Sequence, residues 1–440
     1  MGPIVRIIIR LAVVAIVGAA IAVAGLYILA QHDAIAPLEA AVEPDAALAA
    51  EGELLAAVGD CAVCHTRPGG PAFAGGRPLE TPFGTVHSTN ITPDPETGIG
   101  RWPLAAFVRS MREGIDREGD HLYPVFPYDH FRLVTDEDLA ALYAYLMSLE
   151  PVAAEPVANT LDFPFDRRML VAGWNLLYLD EGVFQPDPSR DAEWNRGAYL
   201  VEGLGHCGAC HSPRDGLGGI VADAPFAGGE AEGWHAPALG AASPAPIAWD
   251  VDPMVNYLID GWDRDHGIAA GPMTAVVNSL YLLPEDDIYA IAAYVVSLQG
   301  DAAGNASRRD DAIAFAEAQA FGVDGPPPSL AVTVGSNAAL QRGADTFAAI
   351  CANCHRSDGQ TAPLALTATI NAPVPDNAIR VILDGIQPPE GSPSRTMRAF
   401  DAALSDAELV DLLAFLRAHF SRAPVWTDLA QRVAAIRGDD

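Results

Sequence analysis

GHCGACHSPRD, Gly205 to Asp215, is the stretch on which the reading of this chain turns. Two cysteines separated by two residues, with a histidine directly after the second, suit a redox disulfide, half of a zinc site or a covalent haem. The pattern occurs twice more, as DCAVCHT with Cys61, Cys64 and His65, and as ICANCHR with Cys351, Cys354 and His355. The three copies consume all six cysteines of the 440-residue chain.

The first cysteines are spaced by 146 and then 144 residues (207 − 61 and 351 − 207), and more than the cysteines recurs. Each pair ends a short helical pattern: EGELLAAVGDCAVCH, RGAYLVEGLGHCGACH and RGADTFAAICANCH. Each unit closes with a stronger one: TDEDLAALYAYLMSLEP, PEDDIYAIAAYVVSLQG and SDAELVDLLAFLRAHFS. These open with Thr, Pro or Ser followed by acids, which suits the orphan N–H groups and positive end of a helix. Apolar residues then recur at three- and four-residue intervals. Between the two patterns, RPGGPAFAGGRPLETPFGTVHSTNITPDPETGIG is rich in Gly and Pro and predicts loop. FAGG recurs at Phe73 and Phe226 but not in the third unit.

A zinc ribbon needs two close pairs about 15–20 residues apart, and the separation here would leave each histidine without a role. A thioredoxin-type centre needs a strand–helix context and no histidine. Covalent haem explains every element: two thiols add to the haem vinyl groups from one turn, and the next imidazole faces the iron. Three c-type haems are expected, bound through Cys61, Cys64, Cys207, Cys210, Cys351 and Cys354, with His65, His211 and His355 as iron ligands.

For the sixth ligands, Met273 in AAGPMTAV and Met397 in SRTMRAF lie in loops before the closing helices. Met254 in DPMVNYL reads as core packing. The first unit has Phe126 where a methionine would be expected, which leaves His130, His121, His87 and Met111 as candidates. His130 is preferred because it immediately precedes the closing helix; Met111, in an amphipathic stretch, reads as packing. Trp102 suits either a haem or the core, and Arg77 and Arg395 suit either haem propionates or solvent.

Leu11–Ala30 is an uncharged apolar run of 20 residues, roughly 30 Å as a helix, enough to cross a bilayer core. Arg6 and Arg10 precede it and Asp33 follows, so the positive-inside rule keeps the N-terminus cytoplasmic and exports the rest. A cleaved signal peptide is the competing reading, disfavoured by the length of the run. The net charge of −31 argues against nucleic-acid binding.

With TPFGTVHSTNITPDPETGIGRW, LYPVFPYDHFRLVTDEDLAALYAYLMSL and EWNRGAYLVEGLGHCGACHSPRD alongside the three motifs, the chain resembles the three-haem cytochrome c subunit of bacterial periplasmic membrane-bound dehydrogenases. The resemblance covers most of the chain after the anchor. FPYDHF looks closest to the branch paired with molybdenum hydroxylases acting on aldehydes or N-heterocycles such as nicotinate.

The resemblance implies an electron conduit that is not catalytic alone. Its partner would be a periplasmic dehydrogenase subunit of molybdopterin, flavin or quinone type, with a small iron-sulfur subunit as a possible companion. The acceptor would be ubiquinone or a terminal oxidase. A membrane-tethered shuttle and a multihaem peroxidase are the rival readings. The expected architecture is all-α, three tandem class-I-like cytochrome c domains behind one transmembrane helix. Its parts are an anchor over 1–32, a first domain over 33–160, a linker over 161–190, a second domain over 191–302, a linker over 303–334 and a third domain with a C-terminal tail over 335–440. That tail, APVWTDLAQRVAAIRGDD, is moderately amphipathic and suits a helix on the membrane or against a partner, with a solvated helix the preferred reading.

Overall fold

The computed structural model describes residues 2–300, 305–323, 325–357, 361–387 and 396–438. It is mostly helical, with only short strands among the described residues. The chain forms two compact units, Met1–Gln185 with Gly216–Gly219, and Pro186–Asp215 with Ile220–Asp440. The first holds the N-terminal helix Pro3–Leu29 and the first repeat; the second holds the other two repeats.

All three repeats start from the same local chemistry. The opening helices Ala46–Val58, Ala192–Tyr199 and Ala338–Thr346 are capped by the side chains of Asp45, Asp191 and Asn337, which accept main-chain N–H groups of the first turn. The closing helices Asp136–Ser148, Glu285–Ser297 and Asp406–Phe420 begin at Thr135, Pro284 and Ser405, as the sequence pattern predicts. Ser405 and Glu408 form a reciprocal capping box.

Opening and closing helices then cross with their backbones in contact. A Cβ on Gly52 would lie 2.0 Å from the carbonyl oxygen of Ala141, one on Gly197 1.9 Å from that of Ala290, and one on Gly343 2.1 Å from that of Asp411. Only glycine permits such an approach. Around each crossing sit aromatic rings: Phe73 on Tyr145, Phe226 on Tyr294, and Phe347 on Phe415.

A middle helix completes each repeat, Leu104–Glu113, Val251–Asp260 and Asp376–Asp384, and each ends on a glycine of positive φ, Gly114, Gly261 or Gly385. The next residue then pairs across a short bridge: Ile115 with His121, Trp262 with Ile268, Ile386 with Met397.

Four regions depart from the sequence expectation. The Gly/Pro-rich stretch carries a hairpin, Pro78–Thr81 with Gly84–His87, made possible by Gly84 at φ 113° where a Cβ would strike the Thr160 carbonyl. The stretch expected as a linker over 161–190 contains the helix Met169–Tyr178, tied down by Asn175, which accepts from the Tyr128 hydroxyl at 2.7 Å and donates to the Glu113 carbonyl at 3.2 Å. The linker expected over 303–334 contains Asn305–Gln319 and Ser329–Val334, with Ala312, Ala316 and Val334 buried in the core of the third repeat.

The tail helix Leu429–Gly438 is not solvated either. Val433 and Ile436 are buried, worth about 1.5–3 kcal/mol each. Arg432 pairs with Asp376 at 2.6 Å, and Trp426 donates its indole N–H to the Ala372 carbonyl at 3.0 Å.

In the second unit the hairpin Gly229–Ala231 with Trp234–Ala236 docks on the helix Asp376–Asp384 of the third repeat. Asn377 accepts from the His235 N–H at 2.8 Å and donates back to its carbonyl at 2.7 Å, while Arg380 donates to the Gly233 carbonyl at 2.9 Å.

The crossing predicts an asymmetry between glycines. Gly197→Ala should cost about 2 kcal/mol by forcing the two helices apart. Gly216→Ala, where a Cβ meets nothing within 4 Å, should stay within about 0.5 kcal/mol. Denaturant unfolding followed by circular dichroism measures both; equal costs would refute a backbone-limited crossing.

Candidate haem sites

Each motif follows its opening helix where regular geometry breaks. Asp60 adopts φ 52° before Cys61, and His206 adopts φ 38° before Cys207. Wider π turns, Leu200–Leu204 and Phe347–Cys351, lie at the second and third motifs. In the first motif the single turn Cys61–His65 sets both thiols on one face with the imidazole next to them.

No disulfide joins any of the six cysteines. Burial, then the charge of Cys64, pushes the Cys61 thiol up to about 12, and burial pushes Cys351 up to about 11, so both are held protonated. Among the described residues no three His, Cys, Asp or Glu side chains converge on one point.

The histidines are oriented by main-chain carbonyls. His65 Nδ1 lies 2.6 Å from the Thr89 oxygen and His211 Nδ1 2.7 Å from the Pro237 oxygen. Burial lowers the pKa of each below the ordinary imidazole value, with the carbonyl contact acting the other way. A neutral ring that donates from Nδ1 has its Nε2 lone pair available for iron. His355 is likewise lowered by burial, but its buried Nδ1 has no hydrogen-bond partner among the described residues.

A second feature explains the FAGG repeat. Phe73 and Phe226 both adopt the left-handed conformation, at φ 59° and 55°. The residue after each motif histidine supplies the acceptor that holds them: Phe73 N–H donates to Thr66 Oγ1 at 3.1 Å, and Phe226 N–H to Ser212 Oγ at 3.0 Å. The following glycines then donate to the motif histidine's own carbonyl, Gly75 to His65 at 2.7 Å and Gly228 to His211 at 2.8 Å. The third repeat reaches a related result from elsewhere in sequence, with Phe321 accepting from the Ser357 N–H.

Arginines complete the frame. Arg77 donates to the Val63 carbonyl at 2.8 Å, inside the motif. Arg214 makes the matching contact to Ala209 at 3.0 Å. Sequence reasoning passed over Arg214; its signal was SPRD, three residues beyond His211.

The candidate sixth ligands are spread over different positions. Met273 opens the helix Pro272–Leu280 and is half-buried, whereas Met397 lies in the bridge opposite Ile386, so the two do not occupy the same register. Leu122 and Ala269 donate to the equivalent carbonyls of Gly114 and Gly261, which puts Phe126 at the register of Met273. His121 stands where Met397 does; it is buried, and its ring meets that of His32 edge-on at 5.0 Å. His130 is half-buried on the short helix Tyr128–Phe131.

His87 ends a hairpin strand, with its N–H on Asn159 Oδ1 at 2.9 Å. Met111 and Met254 are core residues of their middle helices. Trp102 is half-buried and accepts from the Tyr143 hydroxyl at 2.7 Å through its carbonyl. Arg395 lies outside the described residues.

Cysteine pairs outside any disulfide, neutral oriented imidazoles and apolar surroundings fit covalent haem. A cytochrome c family profile matches residues 49–150 and 195–299, and one described as cytochrome c oxidase, cbb3-type, subunit III matches 338–416. The chain is 46% identical over 402 residues to a nicotinate dehydrogenase subunit of Pseudomonas putida, covering 90% of this chain but 32% of that relative, so it spans about a third of that protein's length. It is 37% identical over 416 residues to the gluconate 2-dehydrogenase cytochrome c subunit of Pantoea cypripedii, covering 90% of each chain. It is 34% identical over 411 residues to the fructose dehydrogenase cytochrome subunit of Gluconobacter japonicus, covering 87% and 82%.

Ser212→Ala should leave the buried Phe226 N–H unpaired and cost about 1–3 kcal/mol. Ser212→Thr, which keeps the hydroxyl as Thr66 does, should recover most of it. Thermal unfolding of the two variants checks this, and an unaffected Ser212→Ala would remove the hydroxyl from the frame.

Proposed function

The chain belongs to the cytochrome c subunits of dehydrogenases, and from that premise we propose that it carries one covalent haem in each of its three repeats and relays electrons from a dehydrogenase subunit on the periplasmic side of the cytoplasmic membrane. The observation that carries the reading is the pair of imidazoles, His65 and His211, each held neutral with Nδ1 on a main-chain carbonyl.

Cys61 with Cys64, Cys207 with Cys210, and Cys351 with Cys354 would attach the haems; His65, His211 and His355 would bind iron on one side. Met273, Met397 and His130 are our assignment for the other side. Haem supplies a one-electron carrier that the side chains alone do not. The protein's part is to keep both ligands fixed and the surroundings apolar: the Thr89 and Pro237 carbonyls set ring orientation, Arg77 and Arg214 pin the motif loops, and the crossed helices exclude water. A histidine in place of methionine on the first iron would lower its potential relative to the other two.

Pro3–Leu29 is apolar and long enough to cross a membrane. Arg6 and Arg10 before its apolar run orient it with the N-terminus inside, which would export all three repeats. FPYDHF and the 46% identity to the nicotinate dehydrogenase relative support a partner of molybdenum hydroxylase type, with an iron-sulfur subunit as companion and ubiquinone or a terminal oxidase as acceptor.

Three experiments test the proposal. Purified in mild detergent by haem absorbance, the protein should bring down a dehydrogenase subunit containing molybdenum in fixed ratio. Flavin or quinone there would move it to another branch, and a lone monodisperse cytochrome would overturn the conduit. Pyridine haemochrome should give three haems per chain, falling to two in the Cys207→Ser/Cys210→Ser variant. In His130→Ala the first haem should turn from low spin to high spin by electron paramagnetic resonance; an unchanged spectrum would exclude His130 as its ligand.

A further inference from the structure

We infer that the helix Met169–Tyr178 is a second membrane contact, lying in the outer lipid leaflet beside the N-terminal helix with Leu176 and Leu177 in the acyl-chain boundary. This rests on the reading of Pro3–Leu29 as a transmembrane anchor. The helix has two faces. Val171 and Ala172 are buried, while Leu176 and Leu177 are 68% and 66% exposed, and no other leucine among the described residues is more exposed. In water such a pair is a standing cost that a lipid surface removes.

Its position identifies the occupant. A Cβ on Gly173 would lie 3.1 Å from Leu26 Cδ2 of the N-terminal helix, so the two helices touch at that level. Leu26 stands four residues before the end of the apolar run at Ala30, about 6 Å along a helix axis. When Leu11–Ala30 fills the hydrocarbon core, the contact is therefore about 6 Å below its outer boundary, within the depth of about 5–10 Å at which interfacial helices seat their apolar face.

The contact is held in place from both sides. Below the N-terminal helix, Ile35 N–H donates to the Arg117 carbonyl at 2.9 Å and Arg109 donates to the Asp33 carbonyl at 2.8 Å, fixing the helix exit on the first repeat. Trp174, on the same short helix, packs on Tyr178 at 5.0 Å, an aromatic pair of the kind enriched at headgroup level. Asn175 locks the helix to the repeat, so it cannot withdraw without breaking both of its hydrogen bonds.

The test places the photocrosslinker p-benzoylphenylalanine at single positions of the full chain in its native membrane: Ile16 in the N-terminal helix, Leu176 and Leu177. Retained haem absorbance and membrane yield certify folding. Lipid adducts at Leu176 and Leu177 as strong as those at Ile16 are expected. Lipid at Ile16 with a protein adduct at Leu176 or Leu177 overturns the inference in favour of a subunit interface, and lipid at Ile16 with no adduct at either leucine overturns it in favour of open solvent. Absence of lipid at Ile16 overturns the anchor reading itself, and the inference falls with it.

Discussion

Everything in this molecule hangs on three places where two helices touch without side chains between them. At Gly52, Gly197 and Gly343 a carbonyl of the closing helix occupies the space of the missing methyl group. Such a contact has almost no tolerance, because interiors are packed like crystals and a backbone cannot be compressed. The motif cysteines follow nine, ten and eight residues after these glycines (61 − 52, 207 − 197, 351 − 343), so the crossing sets where each pair of thiols emerges. The unequal spacing is absorbed locally, by left-handed Asp60 and His206 in the first two repeats and by π turns in the second and third. The scaffold is thus the constant part, and the loop that presents the ligands is the adjustable part.

What could be read from the sequence follows from the range of the forces involved. Helix caps, apolar periodicity and a motif within five residues are local properties, and the three opening and closing helices carry all of them. The segment MLVAGWNLLY is apolar nearly all round, so periodicity could not assign it; its helix is held where Asn175 finds Tyr128 and Gly173 finds Leu26, 147 residues earlier (173 − 26). The tail helix shows the same limit in another form. Its amphipathic pattern predicts a helix, but the surface it docks on is set by distant partners, among them the Asp376 carboxylate, 56 residues upstream of Arg432. Met397 and Met273 look equivalent as loop methionines before a closing helix, and only the bridge register separates them.

The candidate sites were legible to a similar depth. Thiol pairs and histidines are written in order along the chain, whereas the groups that orient them are not. Thr89 and Pro237 act through carbonyls, which every residue has, so no sequence pattern could mark them. Thr66 and Ser212 act through hydroxyls directly after the histidines. They could have been suspected from their shared position, but the positive-φ phenylalanines that need them are visible only in three dimensions.

A last regularity concerns charge. All 26 basic residues are arginine; the sequence contains no lysine. In a chain with 57 acidic residues one expects the basic side chains to be spent on surface ion pairs, which contribute little at high dielectric. Many here point elsewhere. Arg77 and Arg214 reach into haem motifs, Arg109 and Arg117 hold the segment after the N-terminal helix, and Arg380 clasps the Gly233 carbonyl. Arg417, 3% exposed, donates to the Pro424 and Ile370 carbonyls and lies 4.7 Å from the Trp426 ring centroid. Domains made of long Gly/Pro-rich loops leave carbonyls facing inward without a ladder to join, and burying them unpaired is costly. A planar fork with five donors can satisfy several at once, which the point charge of a lysine cannot. Arginine here is loop mortar: the residue that lets the irregular segments between the helices be held rigidly around each set of ligands.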